Sequence, residues 1–145
     1  MMETDEILIV QGIENAPEAA RLREEVFLRE QGFGTEFDEI DPAAWHLTLT
    51  RQGQTLAVGR LYPCQKTPGL YHIGRVAVAK PFRGQGLGRD VVLALEQKAR
   101  QLGGLAVGLS AQCHAQGFYE KLGYAAQGEV YLDEHCPHIH MKKPL

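Results

Sequence analysis

A glycine-rich segment, Arg83-Gly84-Gln85-Gly86-Leu87-Gly88, carries the strongest chemical signal in the chain. It follows an apolar stretch typical of a strand and precedes apolar residues at helical spacing. Glycines let a backbone turn sharply and approach a ligand closely. The free amides of a helix N-terminus and the helix dipole favour an anion, and Arg83 adds a fork of phosphate donors. The sequence therefore predicts that these six residues bind a pyrophosphate-bearing ligand.

Three alternative roles for this segment differ in the residues that they require. A glycine-rich turn can merely connect a strand to a helix, but the strand–loop–helix context and Arg83 make that role less favoured. A nucleotide P-loop requires GxxxxGK[ST], and no Lys-Ser or Lys-Thr follows here. A dinucleotide fingerprint requires GxGxxG and an acidic residue about 20 residues later. The glycines do not fit that spacing, and Gly103-Gly104 stands where the acid is required.

The elements that must position this segment are predicted from hydrophobic periodicity and turn residues. The predicted order is β-α-β-β-β-α-β-α-β-β. Strands are expected over Ile7–Val10, Trp45–Thr50, Thr55–Leu61, Leu70–Val78, Leu105–Leu109, Val130–Leu132 and Ile139–Met141, and helices over Asn15–Gly32, Leu87–Leu102 and Gln116–Leu122. Because antiparallel pairing comes first and one βαβ unit lies centrally, we expect an α+β fold with a mixed, mostly antiparallel sheet and flanking helices.

Two motifs taken together resemble the GNAT superfamily of N-acetyltransferases. Arg83, Gly86 and Gly88 satisfy that superfamily's acetyl-CoA motif, [RQ]xxGx[GA]. The segment from Gln112 to Tyr119 is similar to its pattern NxxAxxxYxxxGF, with Gln in place of the Asn. The tail GEVYLDEHCPHIHM, together with FYEKLGY, resembles the small bacterial ElaA-type branch. The resemblance extends from about residue 16 to the end of the chain.

The resemblance implies an enzyme that takes acetyl-CoA as cosubstrate and transfers its acetyl group to a primary amine of a small molecule or peptide. Val76, Ala77 and Val78 match the strand that bonds the pantetheine arm through its backbone, and Gln112 matches a polar cofactor contact. Tyr119 matches the acid that protonates the departing thiolate. The alternative is a non-catalytic CoA-binding or sensing module on the same fold, and the presence of Tyr119 weighs against it.

The acceptor amine must also lose a proton, because a free alkyl amine has a pKa of about 10. Strand alternation predicts that His72, Gly74, Val76 and Val78 share one face, and some superfamily members carry a catalytic carboxylate at the position of His72. His72 is therefore the candidate base. A half-exposed histidine without a role and a relay through water are the alternatives. Arg75 is expected on the opposite face, either paired at the core edge or touching substrate.

Four C-terminal residues invite a zinc interpretation: His135, Cys136, His138 and His140. A structural zinc site needs four well-spaced ligands, and no CxxC or HxxxH partner is present. No metal is therefore expected.

An early loop carries four acidic residues: Glu36, Asp38, Glu39 and Asp41. Such a loop can attract a cationic acceptor amine. Runs of like charge usually form a solvated surface, and that interpretation is favoured here.

Composition excludes several protein classes. With 145 residues, 44% of them hydrophobic and 23% charged, the chain is expected to form one globular domain over residues 1–145. A net charge of -3 without a basic stripe disfavours nucleic acid as a partner. The short apolar run near the N-terminus predicts neither a signal peptide nor a membrane span. Three cysteines without paired spacing fit a reducing compartment, so a cytoplasmic protein is expected, and homodimerisation is left open.

Overall fold

The computed structural model describes residues 4–34 and 36–145. Seven strands in this part of the chain form one sheet in the order β1-β2-β3-β4-β5-β7-β6. The strands are β1 Asp5–Gln11, β2 Trp45–Arg51, β3 Gln54–Pro63, β4 Leu70–Val78, β5 Ala106–Gln112, β6 Ala125–Asp133 and β7 Cys136–Pro144. Every neighbouring pair is antiparallel except β4 and β5. The predicted α+β class with a mixed, mostly antiparallel sheet is confirmed.

Helices cover both faces of this sheet. The α-helices within the described residues are α1 Pro17–Arg23, α2 Leu87–Gln101 and α3 Gln116–Lys121, and α1 continues into a π-helical segment, Glu24–Glu30. Since α2 connects the parallel strands β4 and β5, the predicted central βαβ unit is confirmed. No helix among these residues is both long and apolar enough to span a membrane.

The hydrophobic core has two layers, one on each face of the sheet. On one face α2 contributes Val91 and Leu95, and the helix packs mainly against β3 and β4. Gly59 of β3 allows this close approach, since a Cβ there would lie 2.8 Å from methyl carbons of both residues. On the other face Leu22 of α1 and Val26 of the π-helical segment pack against β3 and β4.

The last two strands extend beyond the predicted apolar runs. β6 begins at Ala125 rather than Val130, and β7 ends at Pro144 rather than Met141. Most of the added residues are polar or exposed, but their backbone groups pair between the strands. Periodicity detects the apolar run of each strand, which is buried in β7 and exposed in β6, and misses the ends that are held by backbone hydrogen bonds alone.

β4 carries a bulge that changes which side chains share a face. Its register against β3 shifts so that two residues, Arg75 and Val76, oppose one, and Arg75 has a φ of 51°. Val76 and Val78 pack against the α2 layer, whereas the ring of His72 packs on the other face of the sheet. The prediction that His72, Gly74, Val76 and Val78 share one face is therefore wrong, because a bulge reverses the alternation beyond it.

Candidate functional site

The parallel strands β4 and β5 separate partway along their length. They pair only at three positions, from Leu70 with Ala106 to His72 with Gly108. Beyond this point a cleft of about 1040 Å³ opens between them. The remaining edge of β4 faces this cleft instead of a neighbouring strand. Its peptide groups can therefore hydrogen-bond an extended ligand that takes the place of a neighbouring strand.

The cleft passes through the sheet, and its two sides are lined by different elements. On the α2 side lie the glycine-rich segment and Tyr119 of α3. An ideal Cβ on Gly88 would lie 3.5 Å from Phe118 and 3.7 Å from Val78, which shows how closely α2, α3 and β4 meet there. On the α1 side lie the side chains of Arg60, His72 and Arg75.

The glycine-rich segment leaves the N-terminus of α2 open to the cleft. Gly84 and Gly86 have φ values of 81° and 79°, and a Cβ on either would meet nothing within 4 Å. No side chain caps the helix at Gly86, so the amides of its first turn have no partner within the helix. Five of the six predicted residues line the cleft. The exception is Gln85, whose Oε1 accepts a hydrogen bond from Arg51 at 3.4 Å.

Arg83 is held by Glu30, an acidic residue that no sequence motif marked. Its Nη1 and Nη2 donate to the carboxylate of Glu30 at 2.5 and 2.8 Å, and its Nε donates to the carbonyl of Val78 at 2.9 Å. Hydrogen bonds from Arg83 hold the pKa of Glu30 below its usual value. One N–H on each terminal nitrogen is left over, so Arg83 can still contact a phosphate, but as part of an ion pair.

Tyr119 lines the cleft from α3. Its ring meets those of Phe118 and Tyr124 edge-on, at centroid distances of 4.9 and 5.8 Å. Burial raises its pKa to about 12. Its hydroxyl forms no hydrogen bond with another residue of the described ranges. The phenol is therefore protonated at neutral pH and has a proton to offer to a group bound in the cleft.

His72 stands at the last paired position of β4, where the strands begin to separate. The half-buried imidazole packs against the ring of Tyr62, with centroids 5.3 Å apart. Burial lowers the pKa of His72 below its usual value. The ring is therefore neutral at neutral pH and can accept a proton.

The segment that follows the π-helix crosses from one wall of the cleft to the other. The side-chain amide of Gln112, at the end of β5, donates to Gln31 Oε1 at 2.9 Å. Further along, the backbone amide of Gly34 donates to Glu134 at 2.7 Å, and the ring of Phe33 lies 5.0 Å from that of His135. Gln112, predicted as a cofactor contact, thus lines the cleft while its amide group also binds the crossing segment.

Two of the four acidic residues in the early loop are buried and a third, Asp38, is half-buried, so the interpretation as a solvated surface is wrong for these three. Glu36 and Asp41 are 4% and 1% exposed, whereas Glu39 is exposed. Arg23 forms two hydrogen bonds to Asp41 at 2.9 and 3.0 Å, and Arg60 adds a third at 2.9 Å. Burial by itself would raise the pKa of Asp41, but these bonds hold it at about 2. The sequence did contain a signal, because Arg23 lies at helical spacing among buried apolar residues.

Arg75 joins the same cluster and lies on the same side of the sheet as His72, so the prediction that it lies on the face opposite to His72 is wrong. Its Nε lies 3.1 Å from Glu36 Oε1, and its Nη2 lies 3.5 Å from Asp38 Oδ2. Since Asp38 also accepts hydrogen bonds from Arg60, on the His72 side of the sheet, Arg75 shares that side. The bulge is the reason for this reversal. Arg75 is paired at the core edge and also lines the cleft.

The C-terminal histidines contribute an aromatic stack to the cleft wall. Tyr131 stacks on His140 and on His138, with centroids 4.7 and 6.0 Å away, and its hydroxyl hydrogen-bonds that of Ser110. His138 Nδ1 lies 2.9 Å from the carbonyl oxygen of Cys136. Within residues 4–34 and 36–145, no group of three or more His, Cys, Asp or Glu side chains is arranged to hold a metal ion.

Comparison with known proteins agrees with this geometry. Residues 14–145 match the family model described as an acetyltransferase (GNAT) domain. The chain is 32% identical over 139 residues to YjcF of Bacillus subtilis, named an uncharacterized N-acetyltransferase, covering 94% of this chain and 97% of that one. Its structure is similar to an acyl-CoA N-acyltransferase from Pseudomonas aeruginosa (33% identity, TM-score 0.85, 97% and 99% coverage). It shares its fold with Escherichia coli ElaA (24% identity, TM-score 0.86, 97% and 99% coverage). The resemblance identified from the sequence is confirmed.

Proposed function

Because the chain belongs to the GNAT acetyltransferase family, we propose that it transfers the acetyl group of acetyl-CoA to a primary amine of a small molecule or peptide. The observation that carries this proposal is the cleft through the sheet. One side offers an uncapped helix N-terminus, and the other offers a polar pocket. Tyr119 and His72 line the same cleft, and a module that only bound CoA would have no use for either side chain in chemistry.

The α2 side suits the CoA portion of the cosubstrate. The pyrophosphate would accept hydrogen bonds from the amides of Leu87, Gly88 and Arg89 in the first turn of α2. From there the pantetheine arm would lie along the unpaired edge of β4, where residues 76–78 offer peptide groups in place of a neighbouring strand. The thioester would then reach the point where β4 and β5 separate, beside His72.

The chemical step forms a C–N bond and breaks a C–S bond. His72 takes one proton from the ammonium form of the acceptor, and the neutral amine then attacks the thioester carbonyl carbon. The nitrogen of the tetrahedral intermediate releases a second proton to solvent as the intermediate expels the CoA sulfur. Tyr119 donates a proton to that sulfur as it leaves, giving free CoA thiol. The two side chains regain their starting protonation by exchange with solvent.

Release of free thiol from acetyl-CoA tests the proposal directly. The acceptors would be a panel of amines, amino acids, polyamines and short peptides, and longer acyl-CoA thioesters would serve as competing donors. We expect thiol release that depends on both protein and acceptor, with acetyl-CoA as the preferred donor. Tight CoA binding without thiol release from any acceptor would identify a non-catalytic CoA-binding module instead.

A further inference from the structure

The α1 side of the cleft presents an arginine in an unusual backbone conformation. Arg75 has a φ of 51°, in the left-handed region that residues with a Cβ rarely adopt. Glycine would occupy this bulge position without strain. Strain of this kind persists where a particular side chain or geometry is needed, and it clusters at ligand-binding sites. The conformation therefore favours a role in ligand binding for this bulge and for the arginine that it carries.

The guanidinium of Arg75 is only partly used by the protein. Nε and Nη2 bind Glu36 and Asp38, while Nη1 forms no hydrogen bond with any residue in the described ranges. The side chain is 29% exposed and lines the cleft. Arg75 is thus anchored on one edge and offers two N–H groups of Nη1 to whatever binds beside it.

The surface that faces the cleft here is cationic, although the whole cluster is balanced. Arg60 and Arg75 line the cleft, whereas their partners Asp38 and Asp41 do not. Glu36 also lines it, which leaves two arginines against one carboxylate of the cluster on this surface. In addition, the buried Nε of Arg60 has no hydrogen-bond partner among the described residues. A group with one negative charge suits this surface, and a carboxylate suits a guanidinium better than any neutral acceptor does.

We propose that the acceptor of this enzyme is an amino-carboxylate, such as an amino acid, whose carboxylate binds Arg75 while its amine faces His72. This inference rests on the proposed function and names the substrate class of the same site. His72 and Arg75 belong to one strand and lie on one side of the sheet, so a compact zwitterion can meet both. Arg75 acts as a specificity-determining residue and takes no part in proton transfer.

The test compares each amino acid with its own carboxamide, which keeps the amine and removes the negative charge. Rates are expressed per concentration of unprotonated amine, because amidation also lowers the pKa of the amine. We expect kcat/KM for the best amino acid to exceed that for its amide by about tenfold or more, as for a lost hydrogen bond to a charged group. Arg75→Gln should bring this ratio close to one, and Arg75→Lys should give an intermediate ratio. Arg21→Gln, on the exposed surface of α1, should leave the ratio unchanged.

The ratio is measured within one variant, so a general loss of stability or activity in Arg75→Gln cannot imitate the effect. Equal use of acids and amides by the natural protein would overturn the inference, as would an acid preference that survives in Arg75→Gln. Acetylation of amines with no preference for acids would overturn this inference while the proposed function stood. If no acceptor releases thiol, the proposed function fails. In that case, NMR titration in the presence of CoA measures the affinities of N-acetyl amino acids and of their amides. The inference requires that each acid bind more tightly than its amide and that Arg75→Gln remove the difference.

Discussion

The two sides of the cleft offer different chemical groups to a ligand. The α2 side offers backbone amides of a single segment, Arg83 to Gly88, with glycines that clear the space above them. The α1 side uses interlocked side chains from α1, the acidic loop, β3 and β4. A backbone site depends on conformation and tolerates changes of neighbouring side chains. A side-chain network depends on each partner, so altering one member changes both stability and specificity.

This contrast explains how one fold can keep a cosubstrate and change its acceptor. The amides that we propose as pyrophosphate ligands are supplied by the fold itself, at the start of α2. The groups facing the acceptor can be exchanged one by one, provided that each buried charge keeps a partner. The following variants separate the two kinds of recognition, beginning with the residue that stands between them.

The largest effect is expected for Tyr119→Phe, which removes the proposed proton donor at the junction of the two sides. Because burial raises the pKa of Tyr119 to about 12, it holds its proton throughout the neutral range. We expect kcat to fall by about 10² to 10⁴, the usual range for acid–base catalysis, with CoA affinity nearly unchanged. Steady-state kinetics and calorimetric titration measure the two quantities. Tyr71→Phe, a half-buried tyrosine outside the cleft lining, is the control, and full activity in Tyr119→Phe would exclude the acid role.

The second largest effect is on stability and concerns the α1 side. Asp41→Asn removes the carboxylate that Arg23 and Arg60 share, and breaking a buried pair in this way costs about 3–5 kcal/mol. Urea unfolding measures the loss. The control is Glu39→Gln, an exposed acid of the same loop, which should change the free energy of unfolding by less than about 0.5 kcal/mol.

The same carboxylate predicts how stability depends on pH. Since the pKa of Asp41 is about 2 in the folded protein and 3.8 ordinarily, its contribution is present above pH 4 and is lost as the pH falls toward 2. The loss is about 2 kcal/mol. In Asp41→Asn this part of the acid-induced destabilisation should disappear. Identical pH profiles in the two proteins would show that the arginines do not stabilise the ionised form.

The two sides also differ in how far the sequence predicts them. The glycine segment is local, so its spacing and its place between a strand and a helix were sufficient to locate it. The side chains paired in the charged cluster lie 13 to 39 positions apart in the chain, from Arg23 with Glu36 to Arg75 with Glu36. No periodicity encodes such pairings, and a bulge in β4 moves Arg75 to the other face without any clear mark in the sequence. The sequence does contain one indication of the cluster. Arg23 lies on the buried face of α1, and a buried arginine requires buried acidic partners.

Gly86→Val tests whether the α2 side depends on backbone approach. A valine Cβ would project into the open space where phosphate must bind, so about two charge-assisted hydrogen bonds are lost and CoA affinity should fall by roughly 10²-fold. Gly53→Val is a matched control, because Gly53 also has a φ of 79° with nothing within 4 Å but lies in the turn between β2 and β3. Both variants carry similar backbone strain, of about 1–2 kcal/mol. Equal CoA affinity in the two variants would exclude the segment as the binding site.

His72→Gln has a smaller effect that depends on pH. Burial lowers the pKa of His72, so the imidazole is neutral at neutral pH and becomes protonated as the solution turns acidic. If His72 accepts the proton of the amine, the activity of the natural protein falls on this acidic limb and the limb flattens in His72→Gln. A profile of kcat/KM against pH measures this. An unchanged acidic limb would assign the proton transfer to a water relay.

The smallest changes in CoA affinity are expected for variants of the ion pair between Arg83 and Glu30. The direction of each change shows how the α2 side binds phosphate. If the α2 side binds phosphate mainly through backbone amides, Arg83→Gln should weaken CoA binding only severalfold, because a partly exposed ion pair contributes about 1 kcal/mol or less. Glu30→Gln should act in the opposite direction. It removes a negative charge near the phosphates and leaves one acceptor oxygen in place of two, so one terminal nitrogen of Arg83 loses its partner. Calorimetric titration of CoA at low and high salt measures both changes, and the gain in Glu30→Gln should shrink at high salt.

If both variants lose affinity to the same extent, the pair only fastens the glycine segment to the π-helix. A loss in Arg83→Gln comparable to that in Gly86→Val would instead make the guanidinium, and not the amides, the main phosphate ligand.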